Sequence, residues 1–239
     1  MSRSAIIAVV VALATAALFA RLGVWQVHRL RERQALNAEL VSRMSYPPTT
    51  VEELPADTAL AAYRRVKITG RYDYDHQILL TGRSRDGAPG VNIVTPLIPD
   101  SEGTAVLVNR GFVYSPDAAT ISIPTWSEPE HATVEGYARP VPVRESSDPR
   151  SQTNPMAWRD LDSARIANSI PYPVARMYVV DLRPGERSEG APVRLSAPSL
   201  SEGSHKSYAI QWFSFAGIAL YGVVYLVWLE SRKRRTAAA

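Results

Sequence analysis

Residues 5–20 read AIIAVVVALATAALFA, without a charge, and the apolar run continues past Arg21 through Leu22, Gly23, Val24 and Trp25 to Val27. A helix rises about 1.5 Å per residue and needs roughly 20 apolar residues to cross a hydrocarbon core, so this segment is long enough. A cleaved signal peptide is the alternative, because Arg3 precedes an apolar run rich in small residues. The length of the run argues for an anchor. Residues 208–229, YAIQWFSFAGIALYGVVYLVWL, form a second uncharged stretch, with Trp212, Tyr221, Tyr225 and Trp228 suited to the membrane interfaces.

The charge balance follows the same division. The chain of 239 residues carries a formal charge of +4, yet the segment between Leu30 and His205 holds 19 Lys and Arg against 22 Asp and Glu, a net of −3. The flanks hold eight basic residues against the single acid Glu230. A nucleic-acid reader needs its positive field on the folded domain, so no nucleic-acid partner is expected. Cysteine is absent, which excludes disulfides, thiolate metal sites, covalent haem attachment and cysteine nucleophiles. Arg232, Lys233, Arg234 and Arg235 follow the second apolar stretch and place the C-terminus in the cytoplasm. Two spans then put the N-terminus there too, although Arg21, Arg29, Arg31 and Arg33 after the first stretch pull the other way.

These boundaries give residues 4–27 as a first transmembrane helix, 28–205 as an extracytoplasmic β-rich domain, 206–229 as a second transmembrane helix and 230–239 as a basic cytoplasmic tail. Within the domain, residues 29–44 have Leu30, Leu36, Leu40 and Met44 at near-helical spacing and predict a stalk helix ended by Pro47-Pro48. Seven runs rich in β-branched and aromatic residues follow, at 63–69, 77–82, 91–96, 104–113, 133–138, 176–182 and 192–195. Punctuated by Gly, Pro and Asp, they predict an α+β chain with a mostly antiparallel barrel or sandwich-like sheet between two transmembrane helices. Residues 158–168, WRDLDSARIAN, predict one internal helix, with Asp160 and Asp162 near its start.

Motifs for hydrolysis, phosphate binding, dinucleotide binding and zinc proteolysis are absent. Acid pairs such as Asp73/Asp75 and Asp160/Asp162 read as solvated surface. The histidines are His28, His76, His131 and His205, no two at metal-ligand spacing. His28 follows the first apolar stretch and His205 precedes the second, which puts both at one membrane surface. Imidazole ligates haem iron or copper, and it also serves as a plain polar interfacial residue. Tyr208, Trp212 and Phe215 recur at helical spacing beyond His205. A lipid-facing aromatic belt and a wall for a flat macrocycle use that surface equally well.

Several segments together resemble the Surfeit locus protein one family of cytochrome c oxidase assembly factors. Leu22-Gly23-Val24-Trp25-Gln26 followed by Arg29 is similar to the family's L-G-x-W-Q-x-x-R. Val66-Lys67-Ile68-Thr69-Gly70-Arg71-Tyr72, Gly90-Val91-Asn92-Ile93-Val94-Thr95-Pro96 and Val106-Leu107-Val108-Asn109-Arg110-Gly111-Phe112 resemble its strands, the last being the most specific. Trp158-Arg159-Asp160-Leu161 resembles its W-x-x-D helix start, and His205 to Phe213 resembles the N-H-x-x-Y-a-x-x-W-[FY] that opens its second helix. Ser204 and Lys206 depart from that last pattern.

The resemblance implies a non-enzymatic protein of a bacterial cell membrane, two-pass, that assists haem a insertion into the oxidase core subunit or stabilises that subunit. Haem a is the implied cofactor, with His205 its linked residue and Trp212 a neighbour; Tyr208 shares the aromatic face, and Arg21, Arg29 and Lys206 lie at the depth of the propionates, where they serve equally as interface anchors. The implied partners are the cytochrome c oxidase core subunit, haem a synthase and the lipid bilayer. An oxidase-bound scaffold that never handles haem is the alternative, and an anchored hydrolase has no motif behind it. Asn109-Arg110-Gly111 reads as a tight turn in which Gly permits positive φ and Arg pairs with an acid.

Overall fold

A computed structural model describes residues 2–101, 103–143, 154–183 and 190–237; residues 238–239 of the expected tail lie outside the described residues. The chain divides into two compact units, Met1–Glu39 with Leu200–Ala239, and Leu40–Ser199.

The first unit is a pair of long helices. α1 (Arg3–Ser45) runs without interruption through both the apolar stretch and the expected stalk, and it ends before Pro47. The last helix of the chain, His205–Ala237, carries the second apolar stretch. Both are long and apolar enough to cross a membrane, and only 6% of the most apolar stretch of each is buried. Their outward side chains, among them Ile7, Val10, Ile218 and Val224, are exposed, as lipid-facing residues are. The buried positions are small or paired. Ala16, Gly23 and Gln26 are buried on α1, and Ala209 and Ala216 on the other helix. Small residues let helix backbones approach closely where the bilayer supplies no hydrophobic drive. A Cβ on Gly23 would lie 2.8 Å from the Phe213 ring, so any side chain there would have to displace that ring.

The second unit is built on a curled sheet. After the short helix α2 (Thr58–Ala61) come β1 (Arg65–Tyr72), β2 (Ile78–Arg85), β3 (Ala88–Pro99), β4 (Val106–Tyr114), β5 (His131–Pro140) and β6 (Ala157–Trp158). The helix α3 (Ser163–Ser169) and strand β7 (Met177–Asp181) follow, and the helix His205–Ala237 is α4. The sheet order is β1-β5-β7-β4-β3-β2-β6, and an added β1–β3 pairing closes five of the seven strands into a ring. β3 makes the closure possible because it is long. Its Ala88–Val94 portion pairs with β2, and Leu97, Ile98 and Pro99 pair with β1. All pairings are antiparallel except β4–β7 and β2–β6.

Alternation fills the ring. Val66, Ile68 and Tyr72 of β1 point inward with Leu97, Val106, Val108, Val134, Ala138 and Val179. Each such side chain contributes about 1.5–3 kcal/mol on burial. A second cluster packs α3 against the sheet through Ile78, Leu80, Leu107, Trp158, Ile166 and Ile170. β4 lies between the two clusters, so its residues from Val106 to Val113 are all buried, which explains why its sequence is continuously apolar around Asn109-Arg110-Gly111.

Three sequence expectations change here. Trp158 does not open a helix: it ends β6, pairs in parallel with β2 and is 2% exposed. The helix begins at Ser163, after Pro142 O has accepted the Ser163 N–H and the buried Leu161 has turned the chain. Residues 192–195 supply only an isolated bridge between Val193 and Phe112, with both N–H···O bonds at 2.8 Å. Asn109-Arg110-Gly111 is not a turn but a bulge inside β4, where the register moves from Ile93↔Gly111 to Val94↔Asn109. Gly111 has φ +134°, and a Cβ there would lie 2.4 Å from Val193 O. The bulge therefore needs glycine on both conformational and steric grounds.

Candidate functional site

In the helical unit, Ala16, Phe19, Gly23 and Gln26 follow the three-and-four spacing of one face of α1, and His205, Ala209, Trp212 and Ala216 do the same on α4. These faces meet. His205, the first residue of α4, places Nδ1 2.8 Å from Gln26 Oε1, across 179 residues of sequence. Gln26 is 8% exposed, whereas His205 is partly exposed. Trp212 lies seven residues and so two turns along the same face of α4. Its ring centroid is 5.6 Å from Phe19 and 5.9 Å from Phe215, and Phe19 and Phe215 are 5.7 Å apart. The result is an imidazole at the end of the helix pair with a three-ring aromatic cluster two turns beyond it.

The other sequence candidates are placed differently. Tyr208 is on α4 one turn from His205 and 46% exposed. Arg29 is on α1 one turn past Gln26 and pairs with Glu32 at 2.7 Å, both side chains more than half exposed. Arg21, Lys206 and His28 are exposed. The residue beside His205 is thus Gln26, which lies within the L-G-x-W-Q segment but carries no chemistry of its own to single it out. Below the aromatic cluster neither helix carries an Asp, Glu, Lys, Arg or His until Arg3 and Glu230, where Ser2 Oγ donates to Glu230 at 3.3 Å. Two further polar links, Gln34 to Glu202 at 3.0 Å and Asn37 to the Leu200 carbonyl at 2.7 Å, hold the segment before α4 against α1.

The β unit contains a buried charge network around Arg110, whose pairing with an acid the sequence reading expected but whose extent it did not. Arg110 continues the inward alternation of Val106 and Val108 and is fully buried. Its Nε donates to Glu128 at 2.9 Å, Nη1 to Gln77 at 3.1 Å and Nη2 to the Trp126 carbonyl at 2.7 Å. The guanidinium also lies 5.2 Å and 5.1 Å from the ring centres of Tyr72 and Tyr74. Glu128 additionally accepts from Arg194, and Arg194 and Arg183 both face the buried Asp181, at 3.2 and 2.6 Å. Burial opposes the Glu128 charge, but the hydrogen bond from Arg194 and the charge of Arg110 outweigh it and hold its carboxyl below the ordinary value. Each charged member of the network has an ion-pair partner, although Arg194 Nε makes no hydrogen bond, and this mutual pairing reads as structure rather than chemistry.

A second polar group lies in the β1–β2 loop. Asp73 Oδ2 accepts from Tyr172 Oη and lies 2.6 Å from His76 Nδ1. Asp73 is therefore not solvated surface, as the sequence suggested; its side chain is 14% exposed. Burial works against its charge, but the hydrogen bonds from Tyr172 and His76 hold its carboxyl below the ordinary value, while burial and Asp73 push the Tyr172 phenol upward. Tyr172 also lines a groove of about 730 Å³ with Val141, Ile166, Ile170 and Val174. Among the described residues, no group of three or more His, Cys, Asp or Glu is placed to hold a metal ion.

Known proteins resemble this chain along nearly its whole length. It is 27% identical over 216 residues to a SURF1-like protein of Monosiga brevicollis, covering 86% of this chain and 82% of that one. It is 28% identical over 241 residues to an uncharacterised SURF1-like protein of Mycobacterium tuberculosis, with 98% and 86% covered. Over 167 residues it is 28% identical to the cytochrome oxidase assembly protein SHY1 of Saccharomyces cerevisiae, covering 66% of this chain and 43% of that protein. The sequence model of the SURF1 family matches residues 13–217, a span that takes in the paired motif segments of both helices and the whole curled sheet, and the chain belongs to the SURF1 family.

Proposed function

We propose that this chain is a membrane-anchored assembly factor for cytochrome oxidase, and that its helix pair holds haem a on the way to the oxidase core subunit. The observation that carries the haem reading is the placement of His205. Its Nδ1 is tied to Gln26 at 2.8 Å, which leaves Nε2 as the nitrogen available to a metal, two turns from the Phe19, Trp212 and Phe215 cluster. Haem a, when bound, would supply an iron that accepts an imidazole nitrogen and a macrocycle that is apolar apart from its propionates.

The chain's residues suit those demands. His205 would offer the ligating nitrogen. Trp212 supplies aromatic surface further along the same helix face, and the exposed Tyr208 lies one turn from His205. Arg29 is half exposed and free to exchange Glu32 for a propionate, because a surface ion pair contributes only about 0–1 kcal/mol. The role is one of binding and hand-over rather than turnover. Haem a synthase is the proposed source and the oxidase core subunit the proposed destination. The basic residues Arg232 to Arg235 support a two-pass topology in a bacterial membrane with both termini in the cytoplasm and the β unit outside.

The cellular test replaces the native gene with His205→Ala and measures mature oxidase in the membrane from its haem a absorbance. The reading expects less assembled oxidase at an unchanged level of the variant protein. Wild-type oxidase levels with His205→Ala, alongside loss of oxidase when the whole gene is deleted, would instead support a scaffold that does not handle haem.

A further inference from the structure

We infer that Gln26 is the positioning residue that makes His205 a ligand, by fixing the imidazole tautomer. The inference rests on the haem-site reading for its purpose, but its structural content stands separately. A neutral imidazole carries one proton, on Nδ1 or on Nε2, and only the unprotonated nitrogen has a lone pair for a metal. Gln26 turns its carbonyl oxygen, an acceptor with no proton to give, toward Nδ1 at 2.8 Å. Nδ1 must then be the donor, and Nε2 is left as the basic nitrogen.

Three features of the structure point the same way. Gln26 is the one polar residue among the three buried positions of α1, the others being Ala16 and Gly23. A buried amide without a partner costs stability, so its retention on the mating face is explained by the bond it makes. Second, the amide is neutral. A carboxylate at this position would also accept from Nδ1 but would add a charge to a face that is otherwise apolar. Third, the approach to Nε2 is kept open by Gly203. This residue has φ +71°, and a Cβ there would stand 3.6 Å from Nε2 and 3.5 Å from Cδ2 of His205. Such a Cβ would be in ordinary van der Waals contact with the ring edge, and glycine, which the positive φ favours, leaves that edge uncovered. One residue orients the ring and another clears its working edge, the arrangement expected of a metal-binding histidine with an outer-shell partner.

The test is a direct reading of the tautomer. Full-length protein is ¹⁵N-labelled at histidine and held in detergent micelles at mildly alkaline pH, above the ordinary imidazole range. Two-bond ¹H–¹⁵N correlation spectra then show which ring nitrogen bears the proton, and His205→Ala identifies the signal. Wild type is expected to show the Nδ1–H form. Gln26→Leu is expected to shift the population toward Nε2–H, and Gln26→Glu, which restores an acceptor, to return it to Nδ1–H. An Nε2–H tautomer in the wild type, or no change in Gln26→Leu, overturns the inference. If Gln26→Leu does not fold, the wild-type and Gln26→Glu spectra decide the question alone. In protein loaded with haem a, Gln26→Leu should weaken retention by about 10–100-fold, the usual effect of losing an outer-shell partner. Retention of haem by His205→Ala would remove the haem-site reading while leaving the tautomer result intact, so the two failures are distinguishable.

Discussion

Replacing Arg110 by Met should destabilise the β unit by about 3 kcal/mol. The side chain is fully buried and donates to Glu128, Gln77 and the Trp126 carbonyl at 2.9, 3.1 and 2.7 Å. Removing one member of a buried ion pair costs about 3–5 kcal/mol, because the remaining charge is left desolvated without its partner. The lower end applies here, since Arg194 still pairs with Glu128 and Thr95 still donates to Gln77 at 3.0 Å. The loss is concentrated at one Glu128 oxygen and the Trp126 carbonyl. For a unit of this size each kcal/mol moves the midpoint by about 2–4 °C, so Tm should fall by roughly 6–12 °C. Near-ultraviolet circular dichroism of the full-length protein in detergent follows the transition, because Trp126 and Trp158 pack in the β unit's clusters. Arg110→Lys keeps the charge but not the planar fork, and should fall between wild type and Arg110→Met. A Tm for Arg110→Met within 2 °C of wild type would refute the reasoning, since the network would then supply order without net stability.

Other consequences are equally direct. Asp73 and Glu128 are both held below the ordinary carboxylate values of about 3.9 and 4.3. Their contribution is therefore complete above those values and is lost as pH falls through the folded-state pKa, so Asp73→Asn should flatten the acid limb of a stability–pH curve; a limb of wild-type steepness counts against it. Gly70→Ala should destabilise the β1–β3 closure strongly, because its Cβ would lie 2.1 Å from Ile98 O, whereas Gly82→Ala, with open space around it and φ +66°, should cost only about 1–2 kcal/mol for its left-handed backbone. Equal melting temperatures for the two variants would show that the close approach at Gly70 is not enforced. The absence of cysteine makes any introduced thiol unique. A membrane-impermeant maleimide should label Ser101→Cys but not Ser231→Cys in intact cells, and the reverse pattern would invert the proposed topology.

How much of this was legible beforehand depends on the range of the interactions involved. The two spans were visible because hydrocarbon thickness sets a length that composition alone reveals. Most strands were visible because β1 alternates, with Val66, Ile68 and Tyr72 inward. The segment at Trp158 was misread because a Trp followed by Asp160 and Asp162 has the composition of a helix start, and nothing local reveals that Leu79 and Leu80 wait to pair with Ala157 and Trp158. For Asn109-Arg110-Gly111 the positive-φ glycine and the acid-paired arginine were legible, but the setting was not, because such a triplet is turn chemistry everywhere except inside a bulge that aims a cation at Glu128, Gln77 and two tyrosines. The helix-pair face was hidden for the opposite reason. Where nearly every residue is apolar, no hydrophobic periodicity marks the mating side, and only the small residues Ala16, Gly23, Ala209 and Ala216 do so. His205 could be named from its position and its motif, but Gln26 could not be named as its partner, because that bond joins the two ends of the chain.

The most direct test of the account is an optical spectrum of the full-length protein, purified in mild detergent from cells that make haem a, measured beside His205→Ala and a His131→Ala control. His131 pairs with Asp100 at the β unit surface, at 2.8 Å, and has no part in the helix-pair site. The account predicts a haem a signal in wild type and His131→Ala that is lost in His205→Ala, with all three proteins folded. Wild-type protein free of haem, or a His205→Ala spectrum indistinguishable from wild type, would contradict it.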